Sequence, residues 1–127
     1  MSTTQDILSE ADVQRACIDW LNTIPQVRVW RRNVGGVMAR YKGKARFVRF
    51  GQPGMSDAEG IGPHGVHIEI EFKRLGVDAS ASQVEWLTLC RNRGAIAFWT
   101  DSLTDCVNEL RGAFLERGWD WKTRWEV

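Results

Sequence analysis

Within "IEIEFKR", residues 68–74, Glu71 and Lys73 stand two positions apart. Strand alternation sends Ile68, Ile70 and Phe72 to one side, and His67, Glu69, Glu71 and Lys73 to the other. The apolar side is what a half-buried strand requires. Two carboxylates and an ammonium facing one way in mid-chain need a different reason. Alpha carbons two apart on a strand are separated by about 6.5–7 Å, so Glu71 and Lys73 address one small volume. Asp57 closes the turn "GQPGMSD", residues 51–57, fourteen positions before Glu71. Mg²⁺ is commonly held by one or two carboxylates together with waters and a substrate phosphate. One acid from the turn and one from the strand make such a pair, and a lysine beside them can orient or deprotonate an attacking water.

Two helices carry further polar groups toward this volume. Ser9-Glu10-Ala11-Asp12 resembles a capping box and opens a helix that ends before Pro25. At about 100° per residue, Val13, Ala16, Cys17, Trp20, Leu21 and Ile24 share one arc, with Asp12, Arg15 and Asp19 opposite. Glu10 falls between Cys17 and Leu21, on the buried side. Ser82-Gln83-Val84-Glu85 opens a second helix that stops at Gly94, with a stripe of Val84, Trp86, Leu87 and Cys90 that includes Gln83. A carboxylate and an amide aimed at a core are costly unless partners wait there. The Asp57–Glu71–Lys73 volume supplies them. Bending of the first helical turn toward water is the alternative for either residue.

The rest of the chain must build the scaffold. "VRVWRRN" (27–33) and "ARFVRF" (45–50) read as strands joined by a Gly-rich basic loop, followed by the strand 66–73. "AIAFW" (95–99) is a short buried strand, and 102–115 a third helix with Leu103, Cys106, Val107, Leu110 and Phe114 along its apolar stripe. The order αβββαβα implies a mixed sheet flanked by helices. At 127 residues, 43% hydrophobic and 26% charged, the chain fits one domain spanning 1–127. No apolar run has the length of a membrane span, and "MSTTQDILSE" has no signal-peptide core. Cys17, Cys90 and Cys106 are odd in number and fall at apolar helix positions, which points to free thiols in a reducing compartment, the cytoplasm.

A net charge of +1 names no partner, but its distribution says more. From Val27 to Ser56 there is no acidic residue, and eight of the 17 basic residues lie there. Arg31, Arg32, Arg40, Lys42, Lys44 and Arg46, interleaved with aromatics and glycines, suit a phosphate backbone. A solvated charged face is the plainer reading of such a run.

"GMSD" followed by "IEIEFKR" and "SASQVEW" resembles the PD-(D/E)xK nuclease superfamily and, within it, the VRR-NUC domain found in phage nucleases and DNA-repair nucleases. The resemblance covers residues 9–110: "SEADVQRACIDWL" resembles that family's first helix with its leading glutamate, here Glu10, and "RRNVGG" its basic strand and glycine turn. Ser56 stands where the family usually has proline. The resemblance implies a restriction-endonuclease-like α/β core and Mg²⁺- or Mn²⁺-dependent hydrolysis of DNA. It implies metal ligands Glu10, Asp57, Glu71 and the Phe72 carbonyl, with Lys73 and Gln83 completing the catalytic set. Stand-alone phage members resemble Holliday-junction resolvases, so a homodimer acting on branched or four-way DNA in the host cytoplasm is the implied form.

The rival reading is a non-catalytic DNA-binding or assembly module on a nuclease fold, which would use the basic run and not the carboxylates. His64 and His67 have no further His or Cys nearby to make a zinc site, although His67 shares the Glu71 face. Glu69, two residues before Glu71, reads as peripheral. Trp20, Trp86 and Trp99 read as core. Trp119, Trp121 and Trp125 follow the last helix and are left to cover either the sheet edge or a neighbouring subunit.

Overall fold

The computed structural model of the protein describes residues 8–32, 35–50 and 52–121. Helix α1 (Glu10–Leu21) starts at a true capping box: Ser9 Oγ accepts from the Asp12 N–H, and Asp12 returns a bond to the Ser9 N–H, both at 3.1 Å. Strands β1 (Arg28–Arg31), β2 (Gly35–Tyr41), β3 (Lys44–Phe50), β4 (Ala58–Ile61) and β5 (His67–Phe72) follow. Then come α2 (Ala81–Asn92), β6 (Ile96–Thr100) and α3 (Leu103–Glu116).

Four strands form one mixed sheet in the order β1-β4-β5-β6, with β5 and β6 parallel and the other pairs antiparallel. The elements on this sheet run α1-β1-β4-β5-α2-β6-α3, which is the expected order filled by an unexpected strand. Residues 45–50 are not in the sheet. They pair with β2 as a separate hairpin, and the short "AEGI" of β4 takes the sheet position instead. Its glycine hid it. A Cβ at Gly60 would lie 2.3 Å from the Arg28 carbonyl oxygen, so the residue that weakens the sequence signal is what lets β1 approach β4. The hairpin turns at Lys42 and Gly43, both left-handed with φ of 51° and 78°, the signature of a two-residue loop whose twist matches its strands.

One face of the sheet carries Val29, Ala58, Ile68, Ile70, Phe72, Ile96 and Phe98, all buried against Val13, Cys17 and Leu21 of α1 and Cys106, Leu110 and Phe114 of α3. Burial of such side chains stabilises by roughly 1.5–3 kcal/mol each before entropy is set against it. Trp119 and Trp121 fold back onto this core. Both rings meet Phe114 edge-on at 5.6 Å, Trp121 meets Trp20 at 5.6 Å, and Arg111 and Arg117 lie over the two tail rings. Those two tryptophans are therefore spent within the chain; Trp125 lies outside the described residues.

Helix α2 covers the opposite face above β5 and β6. Its capping box is Ser80 with Gln83, not Ser82 with Glu85, and its buried stripe narrows to Leu87, with Val84 exposed. Cys17, Cys90 and Cys106 are free thiols. Among the described residues, no helix is long and apolar enough to cross a membrane.

Candidate active site

The polar residues of β5 point beneath α2. Glu69 and Glu71 are buried, at 0% and 2% exposure, although they alternate with an apolar face that is equally buried. Both sides of this strand are covered, which is why an alternating pattern there does not mean one wet face. Register sets Glu59 opposite Glu69 and Trp99 beside Glu71. Asp57 lies one residue before β4, so the same antiparallel register brings it to Glu71.

Three contacts define the pair. Asp57 Oδ2 accepts from the Phe72 N–H at 3.0 Å, fixing its carboxylate across the end of β5. Glu71 Oε2 accepts from Gln83 Nε2 at 2.9 Å and lies 3.7 Å from Lys73 Nζ. Glu71 Oε1 is buried and has no hydrogen-bond partner among the described residues. The capping box explains the amide's aim. Gln83 Oε1 accepts from the Ser80 N–H at 2.8 Å, so the other end of the amide must present its N–H to Glu71. One residue thus starts the helix and binds the site.

Burial, then the adjacent Asp57 carboxylate, push the Glu71 carboxyl up to about 8, against the pull of Lys73. A buried carboxyl beside a second carboxylate resists ionisation unless a cation is supplied. The orphaned Glu71 oxygen, the oriented Asp57 and the hard oxygen donors fit a divalent ion of the Mg²⁺ or Mn²⁺ kind.

Glu10 does not join them. It is exposed in the first turn of α1, which packs on the other sheet face, because the buried arc of that helix begins at Val13. Among the described residues, the one group of three His, Cys, Asp or Glu side chains with ligand atoms mutually within 4.8 Å is Glu59, His67 and Glu69.

An arginine already occupies that second cluster. Arg32 donates Nη1 to Glu69 Oε1 at 2.7 Å and Nη2 to Glu69 Oε2 at 2.6 Å, with a further bond to Glu59 Oε2 at 2.7 Å. Trp86 Nε1 donates to Glu69 Oε1 at 2.8 Å, and His67 Nε2 contacts Oε2. Burial alone would raise the Glu69 carboxyl, but the bonds from Arg32, Trp86 and His67 outweigh it and hold the group below the usual range. Glu69 is therefore central rather than peripheral, and Trp86 is a hydrogen-bond donor as well as an apolar body. The usable signal was the strand face itself, where Glu69 and Glu71 had equal claims to a buried partner.

The Arg32 side chain is correspondingly turned inward, at 10% exposure. Arg31 is exposed, as are Arg40, Lys42, Lys44 and Arg46 on the hairpin. Register divides the hairpin residues. Arg40 shares a face with Met38 and Phe47, which are 66% and 58% exposed, whereas Lys44 and Arg46 take the other face. A groove of about 440 Å³ lies elsewhere, along β6 and α3. There Arg91 caps the Ala97 carbonyl and Arg117 the Ala95 carbonyl, which shields the open sheet edge. Comparison with protein-family models, with curated proteins and with solved structures finds no match.

Proposed function

We propose that the chain is a metal-dependent endonuclease that hydrolyses phosphodiester bonds in branched DNA. The observation that carries this reading is the pairing of buried Glu71 with half-buried Asp57, with Lys73 and Gln83 on Glu71 and one Glu71 oxygen left without a partner among the described residues. Asp57, Glu71 and the Phe72 carbonyl would hold Mg²⁺ or Mn²⁺, which supplies charge stabilisation at the scissile phosphate and a more acidic bound water. Gln83 keeps Glu71 oriented, and Lys73 places a positive charge where the attacking water and the phosphate oxygens meet. Glu10 belongs to the set only if the start of α1 closes on the pair when DNA binds. The exposed basic hairpin and Arg31 engage the phosphate backbone.

A homodimer is the form that cuts two strands symmetrically, since a closed two-fold pair presents two such sites. The test is cleavage of labelled four-way, flap, nicked, single-stranded and linear duplex DNA in Mg²⁺, Mn²⁺ or Ca²⁺, with light scattering on the same samples. Metal-dependent cutting of a branched substrate by a species of twice the chain mass is expected. Binding without cutting in either active metal would instead favour the non-catalytic module.

The hairpin is tested separately. Replacing Arg40, Lys44 and Arg46 by alanine should weaken DNA binding and reduce the log–log salt slope by about 0.9 per lost duplex phosphate contact. An unchanged slope would make the hairpin a solvated surface and move the DNA path elsewhere.

A further inference from the structure

We infer that Arg32 and Glu69 form a positioning hub that sets the Asp57–Glu71 geometry from both sides, an inference that rests on the nuclease reading above. Arg32 follows β1 directly. Its backbone N–H donates to the Asp57 carbonyl at 2.7 Å, and its Nη1 donates to the Ser56 carbonyl at 3.3 Å. The same guanidinium grips both oxygens of Glu69 in a fork. The turn that bears Asp57 is thereby tied to β5, the strand that bears Glu71.

Glu69 also holds the other flank. Trp86 and Gln83 are three apart on α2 and so share one face of the helix, while Glu69 and Glu71 are two apart on one face of β5. Trp86 Nε1 bonds Glu69 as Gln83 Nε2 bonds Glu71. One buried carboxylate therefore anchors the Asp57 turn through Arg32 and seats α2, with its Gln83 amide, through Trp86. Planar two-point recognition is what arginine provides and lysine does not, so charge alone does not replace Arg32. Outer partners of this kind govern ligand orientation, and their loss typically lowers metal affinity or activity by roughly 10–100-fold.

The experiment compares wild type, Arg32→Lys and Trp86→Phe by Mn²⁺ calorimetry, DNA binding in Ca²⁺, steady-state cleavage and denaturant unfolding. Mn²⁺ affinity and kcat should fall roughly 10–100-fold in Arg32→Lys and by less in Trp86→Phe. KM and Ca²⁺-dependent DNA affinity should stay near wild type. Lost DNA affinity with unchanged Mn²⁺ affinity would overturn the hub and make Arg32 a phosphate contact. Unchanged Mn²⁺ affinity and kcat in a cooperatively folded variant would overturn it outright. Should Arg32→Lys not fold, Trp86→Phe decides by the same readings. Wild-type protein that binds no Mn²⁺ would bring down the nuclease reading itself, a result distinct from failure of the hub alone.

Discussion

Asp57→Ala and Glu71→Ala are each expected to lose DNA cleavage by on the order of 10³-fold or more, because residues acting as one catalytic unit are not partly dispensable. Lys73→Ala should fall on the same scale. The expected DNA affinity moves the other way. Removing a carboxylate beside the phosphate path relieves repulsion, so the acidic variants bind branched DNA as tightly as wild type or more tightly. The fold should survive these changes, since the sheet's apolar face and its helices α1 and α3 lie on the far side of β5. Single-turnover cleavage with gel-shift binding in Ca²⁺ separates the two effects. Full activity in Asp57→Ala or Glu71→Ala would remove this site from the chemistry. Glu10→Ala completes the series: loss on the same scale means that α1 closes on the pair, and retained cleavage means that Asp57 and Glu71 suffice.

The second large effect is on stability, and its sign is unusual for an acid. The Glu71 carboxyl sits at about 8 in the folded chain against an ordinary 4.5, so the folded state holds a proton that the unfolded state releases. Stability from this group is complete below pH 4.5 and is lost as pH rises through about 8. The decline approaches about 1.4 kcal/mol per pH unit within that window. Glu71→Gln, which mimics the protonated acid, should flatten the profile and be the more stable protein at pH 8. Divalent metal should have the same effect on wild type by supplying the missing positive charge. Urea unfolding between pH 5 and 8.5 in chelator, repeated with Mn²⁺, measures all three. A flat wild-type profile, or parallel profiles for wild type and Glu71→Gln, would show that Glu71 is ionised in the folded chain.

Much of the scaffold was legible in the chain because its signals are local. The Ser9 cap, the arcs of α1 and α3, the strand at 66–73 and the buried strand before α3 each follow from spacing within a dozen residues. Glu71 and Lys73 stood out because they share one strand face, and Gln83 because a polar residue on a buried arc needs a partner; the same arc argument misplaced Glu10, which the first turn of α1 leaves exposed. Other features depended on which strands meet. β4 was hidden because its glycine serves a neighbour, β1, that sequence spacing does not place beside it. The hairpin left the main sheet because residues 45–50 found their partner in a stretch whose glycines resembled a loop.

Arg32 shows the division most clearly. In the chain it is one of eight basic residues in a run without acids, and nothing local distinguishes it from Arg31. Only the folded sheet brings Glu69 and Glu59 to it from 37 and 27 residues away. Local pattern determined which side chains needed partners, because burial and periodicity are properties of single elements. Tertiary packing decided which partners they received, because a buried charge is satisfied by whatever the register places within reach.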